Sequence, residues 1–361
     1  MSAPGRVNLI GEHTDYNDGL VLPMAIERQV ELRVRRRSDR QVVLRTAREA
    51  GEITLDLTTT LQPQAGHWSN YVAGVVAGFQ KLGWEIPGFE LDVDATLPAG
   101  GGLSSSAALE VATATAIETL CGRELPREKK ALLCQKAEHQ FAGVPCGIMD
   151  QFAVTFAEPD HALLLDCQSR AMRHVPLSRE VAVLVINSGV KHRLADGEYA
   201  RRRITCQNAA RILGVKSLRQ VSLKQWHGMK ARLEFPEHER ARHVITEHER
   251  TLRFVEALER SDWEAAGDLM YGSHESLRDD YEVSCLELDL LVEISRGMDG
   301  VYGCRMTGGG FGGCVVALIE PGKTDAIMAE FRTNYLGTTR IDPAMFVTRA
   351  VGGPHVEIDP A

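Results

Sequence analysis

Polar residues crowd the start of the chain. In the segment APGRVNLIGEHTDYNDG, residues 3–19, Arg6, Glu12, His13, Asp15 and Asp18 are set among glycines 5, 11 and 19. So many hydrogen-bonding groups in one short, turn-rich stretch suit a polyol ligand. A sugar hydroxyl is both donor and acceptor, and an ionised carboxylate accepts from two at once. A polar surface loop whose acids cap turns would present the same residues.

A second segment, LPAGGGLSSSAALEVA at 97–112, runs from a strand pattern through three glycines and three serines into a helix pattern. Glycines let backbone approach a phosphate closely, and the N–H groups and dipole of a helix start face the anion. Serine hydroxyls add donors and one can ligate Mg2+; the alternative is that Ser104 to Ser106 merely cap the helix. The lysine of GxxxxGK[ST] is missing, which excludes a Walker loop. In a third segment, MTGGGFGGCVVAL at 306–318, Gly308 to Gly313 spell GxGxxG, but a strand pattern follows where a dinucleotide fold needs a helix. A loop packed against phosphates, or a tight turn between strands, remains. The fourth, AEHQFAGVPCGIMDQF at 137–152, places Glu138 in a helix and Asp150 at a loop or helix start. Singly, each acid is more often a cap or an ion-pair partner than a catalyst. His139 reads as a helix residue with no special role.

Several elements must position these groups. Residues 29–57 read as strands: Val30, Leu32 and Val34 alternate with Glu31, Arg33 and Arg35, and β-rich runs follow at 41–46 and 52–57. Trp68, Tyr71, Val72, Val75, Val76 and Phe79 follow helical spacing, with Gly83 as a stop. Phe89 to Ala95 alternates as a strand and leads into the turn at Pro98 to Gly102. Two helices are expected next, at 104–121 closed by Gly122, and at 127–142 between Pro126 and Gly143. Val181 to Ile186 reads as a central strand, residues 195–291 as mostly helical, and Cys314 to Ile319 as a final strand. The class is α+β.

A length of 361 residues exceeds the usual single core and points to two lobes, with a composition shift near residue 175 dividing 1–175 from 176–361. The net charge of -8 excludes the basic stripe that supplies most non-specific nucleic-acid affinity. Arg35 to Arg37 and Arg201 to Arg203 read as a solvated strand end and helix face. No run approaches the roughly 20 apolar residues that span a bilayer, and the amino terminus lacks a basic segment followed by an apolar one. The protein is expected to stay where it is made. Cysteines 121, 134, 146, 167, 206, 285, 304 and 314 form no CxxC pair and read as buried, reduced thiols of a cytoplasmic protein. Histidines 238, 243 and 248 recur at intervals of five, which spreads them around a wet helix instead of aligning them as ligands.

Taken together and in this order, the four segments resemble the motifs of the GHMP small-molecule kinase family, and specifically its galactokinase branch. GRVNLIGEHTDYNDG resembles the branch signature almost letter for letter, LPAGGGLSSSAA resembles the family's ATP-binding motif and MTGGGFGGC its third motif. GVPCGIMDQF resembles the stretch carrying the catalytic aspartate. The resemblance covers nearly the whole chain. It implies a two-lobed α+β kinase with the active site in the cleft between lobes. The implied reaction is ATP-dependent phosphorylation of the C1 hydroxyl of galactose to galactose 1-phosphate and ADP, the first committed step of galactose catabolism. Alternatives on the same scaffold are an N-acetylgalactosamine or arabinose kinase, or a catalytically silent galactose sensor; the complete SSSAA argues against the last.

By the resemblance, Asp150 lies near the sugar C1 hydroxyl, and Arg6 beside it stabilises the transferring phosphoryl. Glu12, His13, Thr14, Asp15, Gly147, Asp150 and Tyr199 match sugar-binding positions. Gly100, Gly101, Gly102, Leu103, Ser104, Ser105 and Ser106 match the ATP loop, and Ser106 and Glu138 match the ligands of Mg2+. The implied partners are galactose and ATP, with neither nucleic acid nor membrane, on a monomer or weak oligomer. The family usually carries about twenty residues before APGRVN (compare); here two precede it, so a preceding strand or cap is expected to be missing.

Overall fold

Alternating and β-branched residues form strands at the start of the chain, and short apolar helices cover them. The computed structural model describes residues 1–98, 101–191 and 195–358. The chain opens with β1 (Ser2–Asn8), β2 (Leu20–Val21), β3 (Pro23–Arg36), β4 (Gln41–Thr46) and β5 (Glu49–Asp56). Next come α1 (Ser69–Lys81), β6 (Phe89–Ala95), α2 (Ser105–Cys121), α3 (Arg127–Ala137), α4 (Met149–Thr155), β7 (His161–Asp166) and β8 (Met172–Pro176). After β9 (Ala182–Lys191) the chain is helical through α5 (Ala195–Leu213), α6 (Leu223–Met229), α7 (Glu237–Glu259), α8 (Trp263–Asp279) and α9 (Leu286–Ser295). It closes with β10 (Val301–Thr307), β11 (Gly312–Ile319), α10 (Thr324–Thr339) and β12 (Ala344–Thr348).

Three sheets result, in the orders β1-β3-β6-β4-β5, β10-β11-β9-β12 and β2-β7-β8. The pairings are antiparallel except β4 with β6. One large core joins the first sheet to α1 and α2, and a second gathers the other face of the β9 sheet with α5, α7, α9 and α10. The expected break near 175 falls at the end of β8, and packing crosses it. Phe254 and Leu258 of α7 and Met270 of α8 belong to the first core, and His355 near the end pairs with Ser2. The two sheets meet where the end of edge strand β1 touches the end of edge strand β10. Asn8 and Thr307 are joined in both directions, Asn8 N–H to Thr307 Oγ1 and Thr307 Oγ1 to Asn8 O, each at 3.1 Å.

Several expectations change. Residues 3–8 form a buried strand where a turn-rich loop was expected, because the polar groups of Arg6 and Asn8 find partners across the fold and Ala3 and Val7 enter the core. The expected helix at 127–142 is α-helical only to Ala137 and finishes in a π-turn, Glu138–Ala142, with Gly143 left-handed at its end. The glycine run 308–313 turns the chain between paired strands β10 and β11, and β11 begins inside that run.

The histidine segment is no wet helix throughout: His243 is buried, and its Nε2–H donates to the backbone carbonyl of Glu12 at 3.0 Å. Nor are Arg201 to Arg203 simply solvated, since Arg202 donates to the carbonyls of Tyr281 and Glu282 and Arg203 to that of Pro145. Both misreadings arise because tertiary acceptors, invisible to periodicity, draw these groups inward.

A close approach fixes α8 on β10. A Cβ on Gly267 would stand 1.8 Å from the Tyr302 carbonyl oxygen, and one on Gly303 would stand 2.4 Å from the Gly267 Cα. Since backbone faces backbone, neither side can yield by a rotamer change. Gly267→Ala is therefore expected to destabilise the protein by about 1–3 kcal/mol or more, read as a lower urea midpoint at unchanged m-value.

Candidate active site

Arg6 sits in mid-β1, so its side chain starts from a rigid support. Its backbone N–H donates to the Leu103 carbonyl at 3.1 Å, and its Nη1 to the Gly102 carbonyl at 2.6 Å. The other edge of the guanidinium grips Asp150 in a fork, Nε to Oδ1 and Nη2 to Oδ2, both at 2.8 Å. Asp150 is held there by its place in the first turn of α4, and the Ser104 hydroxyl donates to its Oδ2. Two parallel charge-assisted bonds fix orientation as well as distance. One arginine thus ties β1, the glycine loop and α4 together.

A cavity of about 170 Å³ opens beside this pair, lined by Arg6, Glu12, His13, Asp15, Glu138, Val144, Cys146, Gly147, Met149, Asp150, Tyr199, Gly308 and Gly309. Residues from four distant segments of the chain converge there. Of the expected sugar positions only Thr14 stands apart, its hydroxyl lying 2.8 and 2.7 Å from the carbonyls of Gly11 and Leu20. Asp18 occupies a left-handed turn position, φ 60°, outside the lining. Gly147 is there by necessity, since a Cβ would fall 1.8 Å from Asp15 Oδ2. A larger cavity of about 600 Å³, around Glu118, Arg123 and Lys130 at the far end of α2, contains none of these residues.

Burial shapes the charges. It drives the His13 imidazole down to about 3, helped by His243 and Arg202, so the ring is neutral. The His13 Nδ1 is 2.8 Å from the Tyr16 hydroxyl, while Nε2 has no partner among the described residues. An unpaired buried nitrogen beside a cavity calls for a ligand group. Asp15 is raised to about 7, first by burial and then by repulsion from Asp150. Burial pushes Glu12 up as well, against the opposing pull of Arg305 and Arg6.

The ATP-loop residues that are described surround the start of α2; Gly100 lies outside the described residues. Ser104 precedes the helix in a left-handed conformation, φ 58°, and makes no capping bond, contrary to the capping alternative. Its hydroxyl is turned to Asp150 instead, which leaves the first N–H groups of α2, from Ser105 and Ser106 on, free of a side-chain cap. Leu103 is buried and Ser105 exposed. The two glycine loops lie against each other: a Cβ on Gly308 would be 2.9 Å from the Gly102 carbonyl oxygen, and one on Gly313 3.4 Å from that of Gly101.

The Ser106 hydroxyl lies beside Glu138, which accepts from Gln151 Nε2 at 2.7 Å. Glu138 is raised to about 7 by burial and then by Asp150, and among the described residues it has no ion-pair partner. A buried carboxylate beside a hydroxyl and lacking a counter-charge fits Mg2+, which takes one or two carboxylates and completes its shell with phosphate and water. Among the described residues no three His, Cys, Asp or Glu side chains form a closed metal cage, so the ion would share its shell with substrate.

Three family descriptions match the chain. The galactokinase galactose-binding signature matches residues 1–36, the GHMP kinases N-terminal domain 70–158 and the GHMP kinases C-terminal model 254–336. Galactokinases of Bos taurus and Homo sapiens are 47% identical over 364 residues, covering 99% of this chain and 91% of theirs. The chain belongs to the galactokinases of the GHMP kinase family. The crystal structure of Lactococcus lactis galactokinase complexed with galactose superposes with a TM-score of 0.94 at 34% identity, covering 98% of this chain and 93% of that one. The Methanococcus jannaschii mevalonate kinase, at TM-score 0.73 and 20% identity over 98% of each chain, shares the fold. The fold of this galactokinase-family chain is thus the α+β GHMP kinase fold.

Sequence reasoning missed Val144, Cys146, Met149, Gly308 and Gly309 as lining residues, and Gln151 and Arg305 behind them. The one available signal was an arginine amid the apolar strand VYGCRMT of β10.

The Asp15 shift has a measurable sign. A carboxyl raised from 3.8 to about 7 by folding favours the folded state fully below 3.8 and loses that contribution as pH climbs through about 7. Asp15→Asn removes the ionisation. Its stability advantage over the unliganded wild type is expected to grow from about pH 4 to about pH 7 and then level off, as followed by urea midpoints.

Proposed function

We propose that this chain moves the γ-phosphoryl group of ATP onto the C1 hydroxyl of galactose, releasing galactose 1-phosphate and ADP. The observation that carries the reading is the Arg6–Asp150 fork, which stands where the polar cavity meets the glycine loop. The galactose-binding signature over 1–36 and the likeness to a galactose-bound galactokinase support the choice of sugar. The eight free thiols suit a reducing cytoplasm, and no helix among the described residues is long and apolar enough to cross a membrane.

Phosphoryl transfer needs positioning and charge stabilisation more than covalent help. In this reading Glu12, His13, Asp15 and Tyr199 hold the sugar hydroxyls, and Gly147 leaves room for Asp15. Asp150 receives the C1 hydroxyl proton, or a share of it, as that oxygen bonds to the γ-phosphorus and the bond to the β–γ bridging oxygen breaks. Arg6, already anchored by Asp150 and Gly102, faces the charge that develops on the phosphoryl oxygens. Backbone N–H groups at 101–106 and the start of α2 cradle the phosphates. Ser106 and Glu138 would hold Mg2+, which when bound neutralises phosphate charge.

A coupled assay of ADP release is expected to show turnover with galactose and far less with its C4 epimer glucose, because a site paired to one hydroxyl pattern discriminates by up to roughly 10⁴–10⁵. Comparable specificity constants for the two sugars would overturn the assignment, and a preference for N-acetylgalactosamine or arabinose would move it to a sister kinase. Asp150→Asn should fold, bind galactose calorimetrically, and lose on the order of 10²–10⁴ in kcat; wild-type turnover would remove Asp150 from the chemistry. Glu138→Ala should need more Mg2+ for half-maximal activity without unfolding, and identical titration curves would exclude it as a ligand.

A further inference from the structure

Arg305, beside the cavity, is fully inaccessible in the middle of β10. A guanidinium removed from water must be paired and hydrogen-bonded to be tolerated. Its contacts are specific. Nε donates to Ser273 Oγ at 3.1 Å, while Nη1 donates to the Asn8 carbonyl at 3.0 Å and reaches Glu12 Oε2 at 3.3 Å. Arg305 does not itself line the cavity, whereas Glu12 does.

A second buried acid, Glu247, stands close by and could claim the same charge. It is already neutralised by its own pair with Arg250, and it accepts from Gly11 N–H at 3.0 Å and the Ser273 hydroxyl at 2.5 Å. Ser273 therefore passes its proton-side bond to Glu247 and receives Arg305 on its lone pair. That leaves Glu12 as the carboxylate Arg305 serves.

The acceptor sites of Glu12 can be counted. Oε2 takes Asn8 Nδ2 and Arg305, and Oε1 takes the Gly308 N–H. Thr307 has one hydroxyl proton, and the Asn8 carbonyl at 3.1 Å is nearer than Oε1 at 3.5 Å. A carboxylate offers about four acceptor sites, so three are held from behind and one remains on Oε1. We propose that Arg305 is a positioning residue for sugar recognition, which holds the Glu12 carboxylate charged and aimed so that its one open acceptor site meets a sugar hydroxyl. The inference deepens the sugar-kinase reading and rests on it.

The test separates the sugar side from the nucleotide side. Arg305→Gln removes the charge together with the Nε and Nη1 donors. Losing a charge-assisted positioning of this kind is expected to raise galactose KM and the calorimetric galactose Kd about ten- to hundredfold, with ATP KM within about twofold. Arg305→Lys, which keeps the charge with fewer directed donors, should recover part of the loss. Glu12→Gln should weaken galactose binding by itself, and adding Arg305→Gln to it should cost little more, because the two act as one unit.

Should Arg305→Gln fail to fold, Arg305→Lys and the charge-neutral double variant carry the comparison. Unchanged galactose binding in a folded Arg305→Gln or Arg305→Lys protein, equal rises in both KM values, or additive losses in the double variant would each overturn the proposal. Wild-type protein that binds no galactose would instead sink the sugar-kinase reading beneath it.

Discussion

The fork between Arg6 and Asp150 is the contact on which the site's geometry depends. Arg6 is nearly inaccessible, so its guanidinium cannot be left partly bonded without a desolvation cost of several kcal/mol. The fold answers with two directed partners from two places, Asp150 in the first turn of α4 and the Gly102 carbonyl in the loop before α2, while the Arg6 backbone N–H bonds the adjacent Leu103 carbonyl. A planar cation with fixed donors holds its neighbours to a narrow range of angles. Once these are set, Ser104 must turn its hydroxyl to Asp150 and not to its own helix, and that explains the left-handed backbone at a non-glycine residue.

Shape complementarity between two backbone loops forms the other side of the site. The loops at 101–102 and 308–313 come so close that a single Cβ on Gly308 would press on the Gly102 carbonyl. Glycine is used there for absence of volume, with φ of 84° at Gly308 and 69° at Gly102 adding a conformation other residues resist. The first loop belongs to the α2 side of the molecule and the second to the β10–β11 hairpin, so the packing sets how the two sheets face each other. Glu12 fastens the arrangement from below by accepting the Gly308 N–H.

Much of this was legible in the sequence wherever chemistry is local. Contiguous segments brought out Arg6, Glu12, His13, Asp15, the serine loop and Asp150, and those segments do converge. Secondary structure was equally readable where an apolar period was strong, as in α1, α2 and β6. What was not legible depends on neighbours far away in the chain. Residues 3–8 look like a polar loop because strands are expected to keep arginine and asparagine outside; here both are buried, and their partners lie some 100 to 300 residues on. His243 and Arg202 sit in charged helical segments whose period says solvent, and only the carbonyls of Glu12, Tyr281 and Glu282 reverse that. Arg305 gave a faint signal, a lone charge in an apolar strand, but no local rule says whether such a charge is paired.

The junction of β1 with β10 has a consequence for how the molecule comes into being. Asn8 waits for Thr307, 299 positions later, and for Arg305, 297 positions later. At ribosomal speeds of 5–20 residues per second, that is roughly 15–60 s during which the last residue of the first strand lacks the β10 groups it will bond. Throughout that interval Glu12 has no cation from β10, and Gly308 is not yet there to cap it. The portion of the polypeptide that leaves the ribosome first is therefore among the last to reach its final surroundings, and the ligand cavity can close only when synthesis is nearly over.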